Sequence, residues 1–162
     1  MYIMGVDPTA AWTSTPEHAL GTIGANITST GTETYKYVAL RNETATVATT
    51  DGALVAYLAA PGTDAEINTV VSDFTDASLK PIGAGVTRAI VAGTLATNFY
   101  GWIQTRGYKI MTVALGGTVA AGDALMASTT DMALTLATAA DDHCCAVGHV
   151  DATKNVRLCC VD

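Results

Sequence analysis

The chain is poor in charge. Only 14% of its 162 residues are Asp, Glu, Lys or Arg, well below the usual quarter. Yet 49% are apolar and mean hydropathy is +0.32. Intrinsic disorder needs low hydrophobicity with high net charge, so this composition argues against it. Basic residues are scarcest: eight Lys and Arg stand against fifteen Asp and Glu, giving a net charge of −7 and a pI near 4.7. The eight are scattered singly along the chain. Nucleic-acid binders cluster theirs, so no binding to DNA or RNA is expected. The same sign of charge disfavours an anionic membrane surface. Long apolar runs are missing as well. The most apolar stretch, Val86 to Leu95, is broken by Thr87, Arg88 and Gly93, well short of a bilayer span. The opening MYIMGVDPTAAW lacks a basic n-region and an apolar h-region, so synthesis in the cytoplasm is expected.

Four cysteines occur, as two vicinal pairs, Cys144-Cys145 and Cys159-Cys160. A disulfide-scaffolded secreted domain spreads its cysteines through the chain, and this one does not. A zinc set drawn from His143, Cys144, Cys145, His149, Cys159 and Cys160 has the wrong spacing. Structural zinc uses ligand pairs two to four apart, and neighbours on a strand point to opposite faces. Buried thiols acting as small hydrophobes are the plainer reading. Whether cross-strand disulfides can form is a matter of register. A hairpin loop centred on Ala152 opposes Cys144 to Cys160 and Cys145 to Cys159, whereas one centred on Thr153 opposes Cys145 to Val161. With cytoplasmic synthesis, thiols are expected.

Catalytic constellations are equally sparse. The histidines are His18, His143 and His149, and no Ser sits in a G-x-S-x-G elbow. His143 and Cys144, as strand neighbours, diverge. Asp141-Asp142 reads as a solvated loop, and no carboxylate pair for glycoside chemistry stands out. Gly83-x-Gly85 and Gly116-Gly117 match neither a phosphate loop nor a dinucleotide fingerprint and read as turns. No catalytic, cofactor-binding or metal residue is assigned, no cofactor is implied, and the chain is not expected to be an enzyme.

What is present is β pattern. Residues 1–34 are punctuated by Pro8, Pro16, Gly21, Gly24 and Gly31 and read as an extended N-terminal arm with one strand near Ala19–Ile27, ordered by packing on a neighbour. Removing residues 1–20 is expected to leave the remaining domain folded. Residues 35–162 read as one small all-β domain, a β-barrel or β-sandwich. Tyr35 to Arg41 alternates with aromatic and β-branched residues. Thr49-Thr50-Asp51-Gly52 is a turn, followed by a buried strand from Ala53 to Ala59. Thr63 to Phe74 reads either as a short helix, with Thr63 and Glu66 as capping box, or as a loop. Val86 to Ala92 is strand or helix by periodicity alone. Strands are expected at Tyr100–Arg106, interrupted by Gly107, and at Lys109–Leu115. The Gly122-Asp123 turn precedes another. Leu134 and Leu136 alternate, and His143–Val150 with Val156–Val161 forms a hairpin. Short strands at this spacing argue for a sandwich or barrel over βαβ units. There is also an internal echo: Thr46-Val47-Ala48 before Gly52-Ala53-Leu54-Val55-Ala56, and Thr118-Val119-Ala120 before Ala124-Leu125-Met126-Ala127.

Aromatics number two Trp, six Tyr and two Phe, and Phe99, Tyr100, Trp102 and Tyr108 cluster. On a strand Tyr100 and Trp102 share a face. Exposed, that face would suit a sugar; buried, it would anchor a small core. Tyr100, Trp102, Ile103, Val113 and Leu125 are taken as core.

Three segments follow one another in a familiar order: Tyr100-Gly101-Trp102-Ile103-Gln104-Thr105-Arg106-Gly107, then Val119-Ala120-Ala121-Gly122-Asp123-Ala124-Leu125, then Ala146-Val147-Gly148-His149-Val150. This order resembles the C-terminal half of the capsid decoration, or cement, proteins of tailed bacteriophages. There an aromatic-Gly-Trp-Val/Ile-Gln strand leads to an Ala-Gly-Asp turn and a late Val/Ile-Gly strand. The paired cysteines lie outside that pattern. The resemblance implies a β-barrel or β-sandwich on the outside of a phage head. Its partner would be the major capsid protein, and it would assemble as a homo-oligomer, a trimer at threefold positions or a dimer bridging capsomers. It implies location in the virion and neither cofactor nor active site. The alternatives are a carbohydrate-binding β-module using the Trp102 face, or another virion component of tail or shell.

Overall fold

The computed structural model describes residues 2–3, 7–8, 10–29, 31–41, 49–58, 66–74, 82–88, 97–110, 119–138, 144–150 and 155–160. In chain order these form β1 (Tyr2–Ile3), β2 (Ile23–Thr28), β3 (Gly31–Arg41), β4 (Leu54–Tyr57), a single 3-10 turn (Glu66–Asn68), β5 (Thr69–Val71), β6 (Gly83–Thr87), β7 (Thr97–Ile110), β8 (Ala124–Ala127), β9 (Leu134–Leu136), β10 (Cys144–Val150) and β11 (Asn155–Cys159). The protein is all-β, as its short alternating runs predict. Among the described residues there is no α-helix.

Eleven strands pair in the order β1-β2-β3-β5-β4-β6-β7-β11-β10-β8-β9, and a further pairing of β3 with β7 closes a ring. The ring is a five-stranded barrel, β3-β5-β4-β6-β7. Its seam is also its longest ladder, from Thr34 opposite Arg106 to Arg41 opposite Thr97. The remaining pairs are antiparallel except β3 with β5, which is parallel through Ala39–Thr69 and Leu40–Val70. Closure leaves the five ring strands without a free edge.

Alternation on these strands makes two cores. Val38, Leu40, Val55, Val70, Ala84 and Ile103 form one buried cluster with Trp12 and Tyr57, and this is the barrel interior. Leu54, Ala56 and Val86 point the other way. They pack against Leu125, Ala127, Leu134, Val156 and Leu158 from the β11-β10-β8-β9 sheet. That sheet hangs from the second half of β7, by register pairs running from Cys159–Arg106 to Asn155–Ile110, and folds back over β4 and β6. Each fully buried Leu or Val contributes about 1.5–3 kcal/mol, so both clusters are large stabilising terms.

The internal echo falls on this second core. Thr50–Ala53 and Ala120–Asp123 are both closed by a backbone hydrogen bond, at 3.3 and 3.2 Å, and each turn leads into a strand. The matched residues Leu54 and Leu125, and Ala56 and Ala127, are buried in the same cluster. The Thr46–Ala48 half of the echo lies outside the described residues, as do Val113 and Gly116-Gly117.

Two local expectations need correction. Over its described residues, 66–74, the Thr63–Phe74 segment forms one 3-10 turn and then β5; Thr63 and the two residues after it lie outside the described residues. Gly107 does not end its strand, because β7 runs fourteen residues through it. At Gly107 φ is +103°, and a Cβ there would lie 2.9 Å from the Thr32 carbonyl oxygen, so the position suits glycine on both counts. Just before it the register with β3 slips between Thr34 and Tyr35. This bulge lets β7 leave the barrel and pick up β11. The Gln104 amide spans the irregularity, donating to the carbonyls of Arg106 at 3.2 Å and Tyr108 at 3.0 Å.

Candidate functional site

The strands β2, β3, β7 and β11 lie side by side, and their two faces have different fates. Directly opposed residues of an antiparallel pair share a face. One face therefore carries Tyr35, Tyr37 and Trp102, which form a buried aromatic cluster with Tyr100 packed against it. Trp102 is 1% exposed. Tyr37 and Trp102 meet edge-on at 5.1 Å, and His18 sits on both, 5.1 Å from Tyr37 and 5.3 Å from Trp102.

The cover is the chain's own N-terminal segment. Thr13 exchanges backbone hydrogen bonds with Tyr100 at 3.0 and 2.8 Å, and the Glu17 amide donates to the Tyr37 hydroxyl at 3.0 Å. One residue earlier, Trp12 enters the barrel interior, 7% exposed. Its indole Nε1 donates to the Arg88 carbonyl at 2.8 Å. Gly101 makes the room: a Cβ there would lie 2.3 Å from Trp12 Cδ2. The segment thus clasps β7, with Trp12 inside the barrel and His18 outside it. Deleting residues 1–20 removes a core side chain. The Trp102 ring offers no open face to a sugar. Ile103 and Leu125 are fully buried, while Tyr100 is half-buried.

The opposite face of the same strands is open. Ile23, Ala25 and Ile27 alternate along β2 and oppose Lys36, Thr34 and Thr32 on β3. Thr34 opposes Arg106 on β7, and Arg106 opposes Cys159 on β11. Near Lys36 this face belongs to the barrel interior. Lys36 is buried and donates to the Ile67 carbonyl at 3.0 Å and the Tyr57 hydroxyl at 3.3 Å. Beyond Thr34 the barrel has ended and nothing among the described residues covers the strands. Ile23 is 40% and Ile27 51% exposed. Leu20 and Ile67, also exposed, border the patch where Gly21 abuts the Asn68 side chain. Apolar, hydroxyl and cationic side chains thus follow one another across four strands. Sequence reasoning missed this face, because its members lie far apart in the chain and are joined only by register.

From Ala146 to Gly148 the cysteine hairpin follows the register that centres on Ala152, and it shifts by one at Val150, which opposes Asn155. Ala146 opposes Leu158, Val147 opposes Arg157 and Gly148 opposes Val156. Cys159 is exposed and Cys160 buried, both as thiols. The side chains of Cys144, Cys145 and His149, and all of Asp141, Asp142 and His143, lie outside the described residues. Among the described residues no three His, Cys, Asp or Glu side chains converge. No protein-family model and no curated protein sequence matches the chain.

Proposed function

We propose that the protein is a virion structural protein, a decoration protein that binds the outside of a phage head and stabilises it by bridging capsid subunits. One observation carries the reading: the three segments that resemble the decoration proteins fall on neighbouring strands. The aromatic-Gly-Trp segment lies on β7, the Val-Gly segment on β10, and the Gly-Asp turn leads into β8. These are contiguous through β11 in the order β7-β11-β10-β8.

The open face supports a docking role. A monomer that must stay soluble alone keeps exposed isoleucines few and scattered, whereas here they line one strand. The body is a closed barrel, whose ring strands offer no free edge to stray pairing. Each contact between such a body and a shell is modest, and many symmetric copies sum them. The acidic surface keeps the protein off packaged nucleic acid. In this reading the partner is the major capsid protein, the protein assembles as a homo-oligomer in the virion, and no catalytic step is involved.

The test is reconstitution. Particles of the phage that encodes the chain are stripped of it, and purified protein is added back. The expected result is saturable cosedimentation and a higher disruption temperature of the refilled heads. Absence of the chain from intact particles, or failure of the purified protein to rebind, contradicts the proposal.

A further inference from the structure

Where β7 leaves the barrel, the open face sinks into a groove of about 540 Å³ lined by Thr32, Thr34, Arg106, Gly107, Arg157 and Cys159, together with Leu158. Its size falls in the range of ligand-binding clefts. Two of the eight basic residues of a chain with net charge −7 meet here. From the geometry of this groove we infer that it is a binding site for an extended acidic peptide segment of a partner protein, one with carboxylates at alternate positions.

Three features select that ligand. The first is charge placement. Arg106 opposes Cys159, and Arg157 stands two residues before Cys159 on the same face. The two arginines are therefore diagonal neighbours, about 7–8 Å apart at the backbone. Carboxylates at positions i and i+2 of an extended chain are about 7 Å apart, so one acidic side chain can meet each guanidinium. Arginine binds carboxylate through two parallel hydrogen bonds, which adds geometric selection to charge. The second is exposure: Arg106 and Arg157 are both exposed, so neither is consumed by packing in the core. The third is shape. Thr32 and Thr34 line the groove beside the two arginines, and their hydroxyls can bond a peptide backbone. Two of its lining residues, Thr32 and Thr34, stand opposite Ile27 and Ala25 of β2, so an apolar residue beside the acids has a place.

The inference rests on the open face being a docking surface, and its test needs no phage particle. Cys159 is a reporter built into the site. Its alkylation by iodoacetamide is followed by mass spectrometry of the Cys159 peptide, with and without acetyl-Glu-Thr-Glu-amide. The peptide is expected to slow alkylation saturably, and less so at high salt. Arg157→Gln is expected to weaken protection about tenfold with unchanged Tm, and Arg157→Lys to fall between the two. The inference is overturned if the peptide gives no protection, or if the Arg106→Gln/Arg157→Gln double variant is protected equally. It is also overturned if inorganic phosphate at the same concentration protects as well as the peptide. Failure of this assay leaves rebinding of the wild-type protein to stripped heads untouched, and failure of rebinding leaves the peptide result untouched.

Discussion

One set of strands presents two faces that are handled in opposite ways. On the Tyr35–Tyr37–Trp102 face the chain seals its own surface, using residues 12–18. On the Ile23–Thr32–Arg106–Arg157 face it leaves three kinds of side chain in the open. The sealed face is aromatic, and aromatic rings bury the largest area per residue. Leaving them wet would be the costlier error. The open face is built from isoleucine, threonine and arginine, each tolerable in water singly. The difference separates what the fold needs for its own stability from what it leaves for the proposed partner.

That contrast can be broken from either side. The largest effect should come from Trp12→Ala, which empties the end of the barrel and unpins the covering segment. A loss of about 3–5 kcal/mol is expected by urea denaturation; a loss under about 1 kcal/mol would mean the segment is not part of the core. Gly101→Ala places a methyl group on the Trp12 indole and should cost about 1–3 kcal/mol. Combined with Trp12→Ala its effect should be clearly less than additive, since both act on one contact. His18→Ala removes the edge-on ring contacts with Tyr37 and Trp102 and is expected to cost about 1 kcal/mol, with faster iodide quenching of Trp102 fluorescence. Smallest of all, Ile23→Ser with Ile27→Ser should change stability by only about 0.5 kcal/mol while abolishing rebinding to stripped heads. A large destabilisation by that pair would show that the isoleucines are spent on the fold itself.

The sequence was most informative where the signal is local. Alternation in Tyr35–Arg41 and around Trp102 marked β3 and β7, and the Asp51-Gly52 and Gly122-Asp123 turns marked the starts of β4 and β8. Ile103 and Leu125 were identifiable as core from apolar pattern alone. The pairing that closes the barrel was not, since β3 and β7 are separated by more than fifty residues and a non-local ladder leaves no local signature. Strand β5, three residues long, is too short for periodicity to register. Residues 1–34 read as an arm because Pro and Gly break their pattern. Their anchor is Trp12, and one tryptophan in an irregular stretch does not reveal what it will pack against. The open face was hidden for a related reason: Ile27, Thr34, Arg106 and Cys159 become neighbours only through three successive strand registers.

The sealed face serves the fold, and in the proposed function the open face serves the assembly. The proposed role is tested most directly by cryo-electron microscopy of phage heads with the protein bound, at a resolution that traces β-strands. The five-stranded barrel is expected on the outside of the head, with Ile23, Ile27, Arg106 and Arg157 against a capsid subunit or a second copy, and Trp102 still covered by its own residues 12–18. A reconstruction in which residues 12–18 have swung away to the shell, with the isoleucine row facing solvent, would contradict it.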